Sequence, residues 1–289
     1  MQIADRIEQA LDRAVALAQG PGAPPLLASA LRYAVFPAGH RIRPQLCLAV
    51  AGACGDADPE SADAAAAAIE FLHCASLVHD DLPCFDDSAL RRGKASVHAE
   101  YGAPIAVLTG DALIVHAFAT LGQVAARDPA RMATLLGIVT EAVGSPGGIV
   151  AGQAWECEVA VPLADYQRAK TGALFVAATR AGAAAAGVAA EPWRMLGDKL
   201  GEAYQVADDL RDVLCDSDEL GKPIGQDAVR LRPNAAAQLG VGGAKARLEE
   251  LVRAAVESIP DCPGAMELRA LIKAQTALFF PKQLAREAA

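Results

Sequence analysis

Four aspartates in one short segment form a concentrated set of oxygen ligands. Asp80 with Asp81 and Asp86 with Asp87 flank Pro83, directly after the apolar run AIEFLHCASLV. Proline disfavours helical backbone at the residue before it and donates no hydrogen bond to the preceding turn. A helix predicted over residues 60–82 should therefore end or kink here, and the loop that follows could bring Asp86 back toward Asp80.

A second group of aspartates lies more than a hundred residues later, in the segment AYQVADDLRDVLCDSD. Asp208, Asp212 and Asp216 recur at i, i+4 and i+8, so they share one face of a helix. At about 6 Å and an effective dielectric near 20, each adjacent pair of carboxylates repels by about 2–3 kcal/mol. A solvated face is the common explanation for a lone pair at this spacing. Here apolar residues surround the aspartates, and a bound cation is the natural partner.

The ligand atoms offered at these sites favour magnesium over zinc, because they are carboxylate oxygens. Magnesium in proteins combines one or two carboxylates with substrate phosphates. Two acidic sites on separate helices therefore indicate a cavity that holds several magnesium ions and a polyphosphate. Basic residues near the aspartates fit this chemistry, namely Arg91, Arg92, Lys94, Lys170 and Lys222.

Composition narrows the fold and the class of partner. The chain has 289 residues, 53% of them hydrophobic but only 4% aromatic, and its abundant alanine favours helices over strands. A formal net charge of -9 argues against nucleic acid as a partner, because nucleic-acid binders carry a basic footprint. Seven scattered cysteines without a C-x-x-C pair, signal peptide or membrane-length apolar run predict a reduced, cytoplasmic protein without a transmembrane segment.

Helical periodicity between clusters of proline and glycine predicts the elements that position these residues. We expect one all-α domain over residues 1–289, because no flexible linker divides the chain. Helices that are apolar on most faces, such as 103–126, are expected at the centre of a bundle. The predicted helices span residues 2–19, 24–36, 43–54, 60–82, 103–126, 129–144, 147–157, 164–186, 191–216, 240–258 and 262–279.

Taken together, these segments resemble the trans-isoprenyl diphosphate synthase family. HDDLPCFDDSALRRGKASVH is similar to the first aspartate-rich motif of the family and YQVADDLRD to its second. AGHRIRP, LTGDAL, AGQAWE, AKTGALF and LGKPIGQD are similar to its other landmarks, in the same order. The similarity spans about residues 30–230 and is closest to bacterial geranylgeranyl diphosphate synthases. It implies an isoprenoid synthase fold, with mostly antiparallel helices around a central active-site cavity, a homodimer, and three Mg²⁺ ions per active site.

The resemblance also implies roles for individual residues. Expected metal ligands are Asp80, Asp81, Asp86, Asp208, Asp209 and Asp212. Positions that match the allylic-substrate site are Arg91, Lys170, Thr171, Gln205 and Lys222, of which Lys170, Thr171 and Gln205 are the catalytic candidates beside the reacting carbocation. Positions that match the isopentenyl diphosphate site are His40, Arg43, His73 and Arg92. His40 stands where the family usually has lysine, so this contact should be weaker or more pH-dependent.

The implied reaction joins isopentenyl diphosphate to an allylic diphosphate (dimethylallyl, geranyl or farnesyl) in a trans, head-to-tail manner. In this family, an aromatic residue about one turn before the first aspartate tends to stop growth at fifteen carbons. Ala75 and Ser76 are both small, and one helical turn of about 5.4 Å is close to the length of one isoprene unit. We therefore expect geranylgeranyl diphosphate (C20) as the main product. Phe71 is the candidate floor of the cavity, with His116 near the same end or in the core.

Three other functions remain open from the sequence. A farnesyl diphosphate synthase would make the C15 product by the same chemistry. A terpene cyclase shares the fold, but the second site here is DDLRD rather than an Asn-x-x-x-Ser/Thr-x-x-x-Glu pattern. A non-catalytic synthase subunit usually lacks one acidic motif, and this chain has both.

Overall fold

The computed structural model describes residues 2–36, 39–214, 235–277 and 279. This part of the chain is mostly helical, which confirms the all-α prediction. The helices are α1 Ile3–Ala18, α2 Pro25–Val35, α3 Ile42–Ala53, α4 Pro59–Asp80, α5 Val97–Tyr101, α6 Ala103–Gly122, α7 Pro129–Val143, α8 Ile149–Trp155, α9 Leu163–Gln167, α10 Ala173–Ala185, α11 Arg194–Leu214, α12 Ala235–Glu257 and α13 Ala265–Ala277.

Helix α4 lies in the centre of the bundle and carries the first acidic segment at its C-terminal end. It packs against α1, α3, α6 and α10, and its alanines at 64–68 are all buried. The helix begins where Asp58 accepts a hydrogen bond from the Ser61 amide at 3.1 Å, with Pro59 in the first helical position. This cap satisfies one of the free amides of the first turn.

Pro83 ends α4 as predicted. The helix stops at Asp80, and the chain then folds back on itself. The Asp86 amide donates to the Asp80 carbonyl at 2.9 Å, and the Ser88 amide donates to the Asp81 carbonyl at 3.1 Å. The loop leads into a small antiparallel hairpin of β1 Leu90–Arg91 and β2 Lys94–Ala95. Strands of two residues carry no periodic pattern, so the sequence did not predict them.

The predicted helix over 164–186 is continuous but not uniform. A π-helical turn, Arg168–Gly172, separates α9 from α10. Helix α8 packs closely against this turn, because a Cβ atom at Gly152 would lie 2.5 Å from the Lys170 backbone nitrogen. Turns of this kind are often found at functional sites, and the predicted pair Lys170–Thr171 lies within this one.

Helix α12 begins at Ala235, earlier than the predicted start at 240. The backbone does leave helical geometry at Gly240, with φ 69°. The glycine therefore marks a break inside the helix rather than its beginning.

Two helical segments are long and apolar enough to cross a membrane by length and composition alone. They are Pro59–Asp80 and Ala103–Ala126, the latter being α6 with its 3₁₀ extension. The apolar window of α4 is 78% buried inside the bundle, as expected for a core helix. The window of the second segment is 39% buried, and it exposes Val107, Leu108 and Val115.

Candidate active site

Three carboxylates from distant parts of the chain converge at the C-terminal end of α4. Asp80, Asp86 and Glu156 each place an oxygen atom within 4.8 Å of the others. The predicted return of Asp86 toward Asp80 is therefore confirmed. Burial raises the pKa of Asp80; Lys170 opposes the shift, while Asp86 and Glu156 add to it. A divalent cation would relieve this repulsion, and a donor set of carboxylate oxygens suits magnesium.

Glu156 was missed by the sequence analysis, although three side chains hold it in the cluster. Gln153 Nε2 donates to Glu156 Oε2 at 3.1 Å, and the Tyr166 hydroxyl donates to Oε1 at 2.5 Å. Lys170 Nζ also donates to Oε1, at 2.6 Å. The available signal was the pair of polar residues three positions apart in AGQAWE, a segment otherwise dominated by small and apolar residues.

Lys170 joins two of the carboxylates. Its Nζ lies 3.2 Å from Asp80 Oδ1 as well as 2.6 Å from Glu156 Oε1. The π-helical turn thus aims a cationic side chain at the carboxylate cluster. Its contact with the substrate stays a prediction.

Thr171, the next residue, turns toward the second acidic segment on α11. Its hydroxyl donates to Gln205 Oε1 at 3.0 Å, and Gln205 Nε2 donates to Asp209 Oδ1 at 3.0 Å. Asp209 Oδ2 accepts from the Ala235 amide at 2.8 Å. The π-helical turn thus connects the two acidic sites through adjacent residues, which the sequence could not indicate.

The predicted ligands of α11 differ in environment. Asp209 is buried and accepts hydrogen bonds at both oxygens. Asp208 and Asp212 are half-buried and follow one another at i and i+4, as predicted. Asp216 and Lys222 lie outside the described residues.

Asp81 pairs with Arg91 rather than joining the three-carboxylate cluster. Arg91 Nε lies 3.0 Å from Asp81 Oδ1 and 3.1 Å from Oδ2, and Asp81 is only 2% exposed. Burial raises the pKa of Asp81, and the hydrogen bond from Arg91 opposes this shift. Asp81, predicted as a metal ligand, thus orients Arg91, predicted as a diphosphate contact. Arg91 also lies near Asp80 and Asp86, whose negative charges help to raise its pKa.

Three of the four residues predicted for isopentenyl diphosphate, Arg43, His73 and Arg92, form a basic group. Arg43 Nη1 lies 3.4 Å from His73 Nε2, and the Arg43 guanidinium stacks 4.8 Å from the ring centroid of Phe175. Burial, then the charge of Arg43, lowers the pKa of His73 well below its usual range, so the imidazole is neutral near pH 7. Burial lowers the pKa of Arg43, and the charge of Arg92 lowers the pKa of both Arg43 and His73.

Arg92 reaches this group because Gly39 has no side chain. A Cβ atom at Gly39 would lie 2.5 Å from the central carbon of the Arg92 guanidinium. His40, the departure from the family lysine, is exposed. Lys94 lines the same cavity as Asp81 and Arg91. Its Nζ makes structural contacts there, because it donates to the carbonyls of Tyr33 and Phe36 at 2.6 and 2.8 Å.

The residues predicted to limit chain length lie on two adjacent stripes of α4. Positions four apart share a helix face, so Phe71 lies one turn below Ala75, and Leu72 lies one turn below Ser76 and two below Asp80. Ala75, Phe71 and Leu72 are buried, and Ser76 is half-buried. His116 is half-buried, and burial lowers its pKa. Their effect on product length stays a prediction.

The chain is similar to known proteins in both sequence and fold. Residues 24–267 match the Polyprenyl synthetase family. The chain is 54% identical to a geranylgeranyl diphosphate synthase of Cereibacter sphaeroides over 99% of both chains, and 35% identical to a farnesyl diphosphate synthase of Geobacillus stearothermophilus over 86% of both. Its fold is similar to that of a Helicobacter pylori geranyltransferase complexed with magnesium and isoprenyl diphosphate. The TM-score is 0.78, with 28% identity over 95% of this chain and 97% of that one.

Proposed function

The chain belongs to the polyprenyl synthetase family, and we propose that it condenses isopentenyl diphosphate with an allylic diphosphate to give mainly geranylgeranyl diphosphate. Membership of this family and the similarity to geranylgeranyl diphosphate synthases identify the chain as a trans-prenyltransferase. The observation that carries the proposed chemistry is the convergence of Asp80, Asp86 and Glu156 around Lys170. The C20 product is supported by the 54% identical relative and by the small side chains at Ala75 and Ser76.

The reaction balances without a protein base. The bond between C1 and oxygen of the allylic diphosphate breaks, and the released diphosphate keeps the electron pair. The C1 cation bonds to the terminal carbon of the isopentenyl double bond. One proton then leaves C2 of the isopentenyl unit, next to the new tertiary cation at C3, for the released diphosphate, and a new double bond forms between C2 and C3.

The protein's contribution is electrostatic and steric. Magnesium, bound by Asp80, Asp86 and Glu156, would neutralise charge on the leaving diphosphate. We infer three ions in all, with Asp208 and Asp212 on the opposite wall and Asp81 and Asp209 orienting the adjoining groups. Lys170 and Arg91 supply fixed positive charge to the same diphosphate. The oxygens of Thr171 and Gln205 face the developing carbocation, and the alanine-rich helices exclude water from it.

Product analysis tests the proposal directly. Purified protein with Mg²⁺ and radiolabelled isopentenyl diphosphate should elongate dimethylallyl, geranyl and farnesyl diphosphates to C20. Omitting isopentenyl diphosphate should abolish product formation. A C15 end point would favour a farnesyl diphosphate synthase, and cyclic hydrocarbon formed from the allylic substrate alone would favour a cyclase.

We also infer a cytoplasmic homodimer with one domain over residues 1–289. The exposed apolar side chains Val107, Leu108 and Val115 lie along α6, and a second copy of the chain is a suitable cover for such a stripe. Sedimentation should give a mass close to twice the 29.8 kDa of one chain. A monomer at micromolar concentration would contradict the inference.

Replacing Glu156 with glutamine should weaken metal activation more than substrate binding. The change removes one charge from the cluster and disturbs the bonds to Tyr166 and Lys170, so the Mg²⁺ concentration for half activity should rise about ten- to a hundredfold. Activity measured against Mg²⁺ concentration tests this. Glu158→Gln is the matched control, because Glu158 is exposed nearby; an equal change in both variants would exclude a specific role for Glu156.

Replacing Gly39 with alanine should weaken binding of isopentenyl diphosphate selectively. The new methyl group would displace the Arg92 guanidinium, and losing one charged contact should raise KM for isopentenyl diphosphate about tenfold. KM for the allylic substrate should stay unchanged. Gly52→Ala is the control, because a Cβ atom there meets nothing within 4 Å. Equal KM values in Gly39→Ala and the native protein would contradict the prediction.

A further inference from the structure

Arg41 is a buried arginine that none of the predicted site roles includes. It is 5% exposed and contacts three helices at once. Its Nη1 donates to Glu70 Oε1 on α4 at 2.7 Å, and its Nε donates to Glu8 Oε1 on α1 at 2.8 Å. Its Nη2 donates to the Val35 carbonyl at the end of α2, also at 2.8 Å. The guanidinium therefore fixes its own segment relative to α1, α2 and α4.

The segment held in this way leads into Arg43, one member of the basic group of the isopentenyl site. Arg43, two residues after Arg41, contacts His73 on α4. Glu70 and His73 are three residues apart, on neighbouring turns of the same helix. The chain between Arg41 and Arg43 thus docks on α4 at two adjacent points, and the ion pair with Glu70 sets the register for the contact with His73.

On the other side of Arg41, Gly39 lies against the Arg92 guanidinium. A shift of the backbone at Arg41 would therefore disturb Arg43 and Arg92 together. These are the two arginines predicted to bind isopentenyl diphosphate. Asp80 lies ten residues after Glu70 on α4, a rise of about 15 Å along the helix, so the allylic site should be less affected.

The backbone of Arg41 is also unusual. Its φ of 49° and ψ of 33° lie in the left-handed region, directly before α3 begins at Ile42. Residues other than glycine pay a free-energy cost in this region, and a buried ion pair is not by itself evidence of stabilisation. Arg41 combines a left-handed backbone with a buried ion pair, and neither feature is expected to stabilise the fold. Its conformation therefore indicates a role in function.

We propose that Arg41 is a positioning residue for isopentenyl diphosphate, which acts through Glu70 and Glu8 to place Arg43 and Arg92. The proposal rests on the proposed function of the site. It assigns to Arg41 no contact with the substrate and no part in metal binding. Its loss should therefore affect one substrate and spare the other.

The test is the double variant Arg41→Met with Glu70→Met. Removing both buried charges avoids leaving either one unpaired, and Glu8 is partly exposed and can be solvated. KM for isopentenyl diphosphate should rise at least about tenfold, with calorimetric affinity for this substrate falling by the same factor. KM for geranyl diphosphate and kcat at saturation should change less than about twofold.

The matched control is Arg6→Met with Asp63→Leu, which removes another ion pair between α1 and α4, at 2.5 Å. An unchanged isopentenyl KM in the Arg41 double variant, or an equal rise in the control, would overturn the proposal. Arg41→Lys keeps the charge but not the three-way contact, and provides the same test should the double variant fail to fold; its isopentenyl KM should also rise. Absence of elongation by the native protein would instead refute the proposed function.

Discussion

Replacing Asp80 with asparagine should reduce turnover by about a hundred- to a thousandfold with the fold intact. Asp80 lies at the end of α4 in the three-carboxylate cluster, and its Oδ1 accepts a hydrogen bond from Lys170 Nζ at 3.2 Å. Asparagine keeps the shape but removes a negative charge from the ligands of the proposed magnesium site. The measurement is kcat at saturating substrates and Mg²⁺, with circular dichroism and thermal unfolding to verify the fold.

Asp87→Asn provides the control from the same segment. The Asp87 side chain is 72% exposed and lies 3.8 Å from His98 rather than in the cluster. Its φ of 48° is left-handed, a conformation that asparagine accepts readily. Near-native turnover is expected in this variant. Near-native turnover in Asp80→Asn would remove Asp80 from the metal site.

Asp208→Asn extends the same argument to the opposite wall. A strong loss is expected there too, because Asp208 and Asp212 form the half-buried acidic face of α11. Loss in Asp80→Asn but not in Asp208→Asn would confine the essential ligands to the first site.

Local rules predicted the part of the site that lies within one segment. The end of α4, the return of Asp86 and the shared face of Asp208 and Asp212 all follow from proline chemistry and helical spacing. These features depend on residues within about two turns of one another, which is the range over which sequence patterns act.

Contacts between distant segments could not be predicted in the same way. Glu156 joins a cluster whose other members lie 70 residues or more before it, and nothing in AGQAWE specifies that distance. The pairing of Asp81 with Arg91 depends on a hairpin too short to carry a pattern. In both cases the role of a polar side chain depends on a partner that is distant in sequence and close only in the folded chain. Residue type alone therefore did not reveal Glu156 and gave Asp81 the role of a metal ligand.

Replacing Ala75 with tyrosine should shorten the main product from C20 to C15. Ala75 is 2% exposed on α4, just over one turn before Asp80. A phenol ring there would occupy the space that the last isoprene unit needs. Chromatography of the products, with total isopentenyl incorporation, separates a shorter product from a general loss of activity. The melting temperature of the variant should also be measured, because overpacking a core lowers the free energy of unfolding by about 1–3 kcal/mol.

Two stripes of α4, Ala75 with Phe71 and Ser76 with Leu72, could line the product cavity. A tyrosine placed on each stripe in turn distinguishes them. If the cavity follows Ala75 and Phe71, Ala75→Tyr gives C15, Phe71→Ala lengthens the product, and Ser76→Tyr acts less on length than on activity. If it follows Ser76 and Leu72 beneath Asp80, the pattern is reversed. We expect the first pattern. A C20 product from folded, active Ala75→Tyr would contradict it, and Ala75→Ser, which adds a single oxygen atom, should leave C20 unchanged.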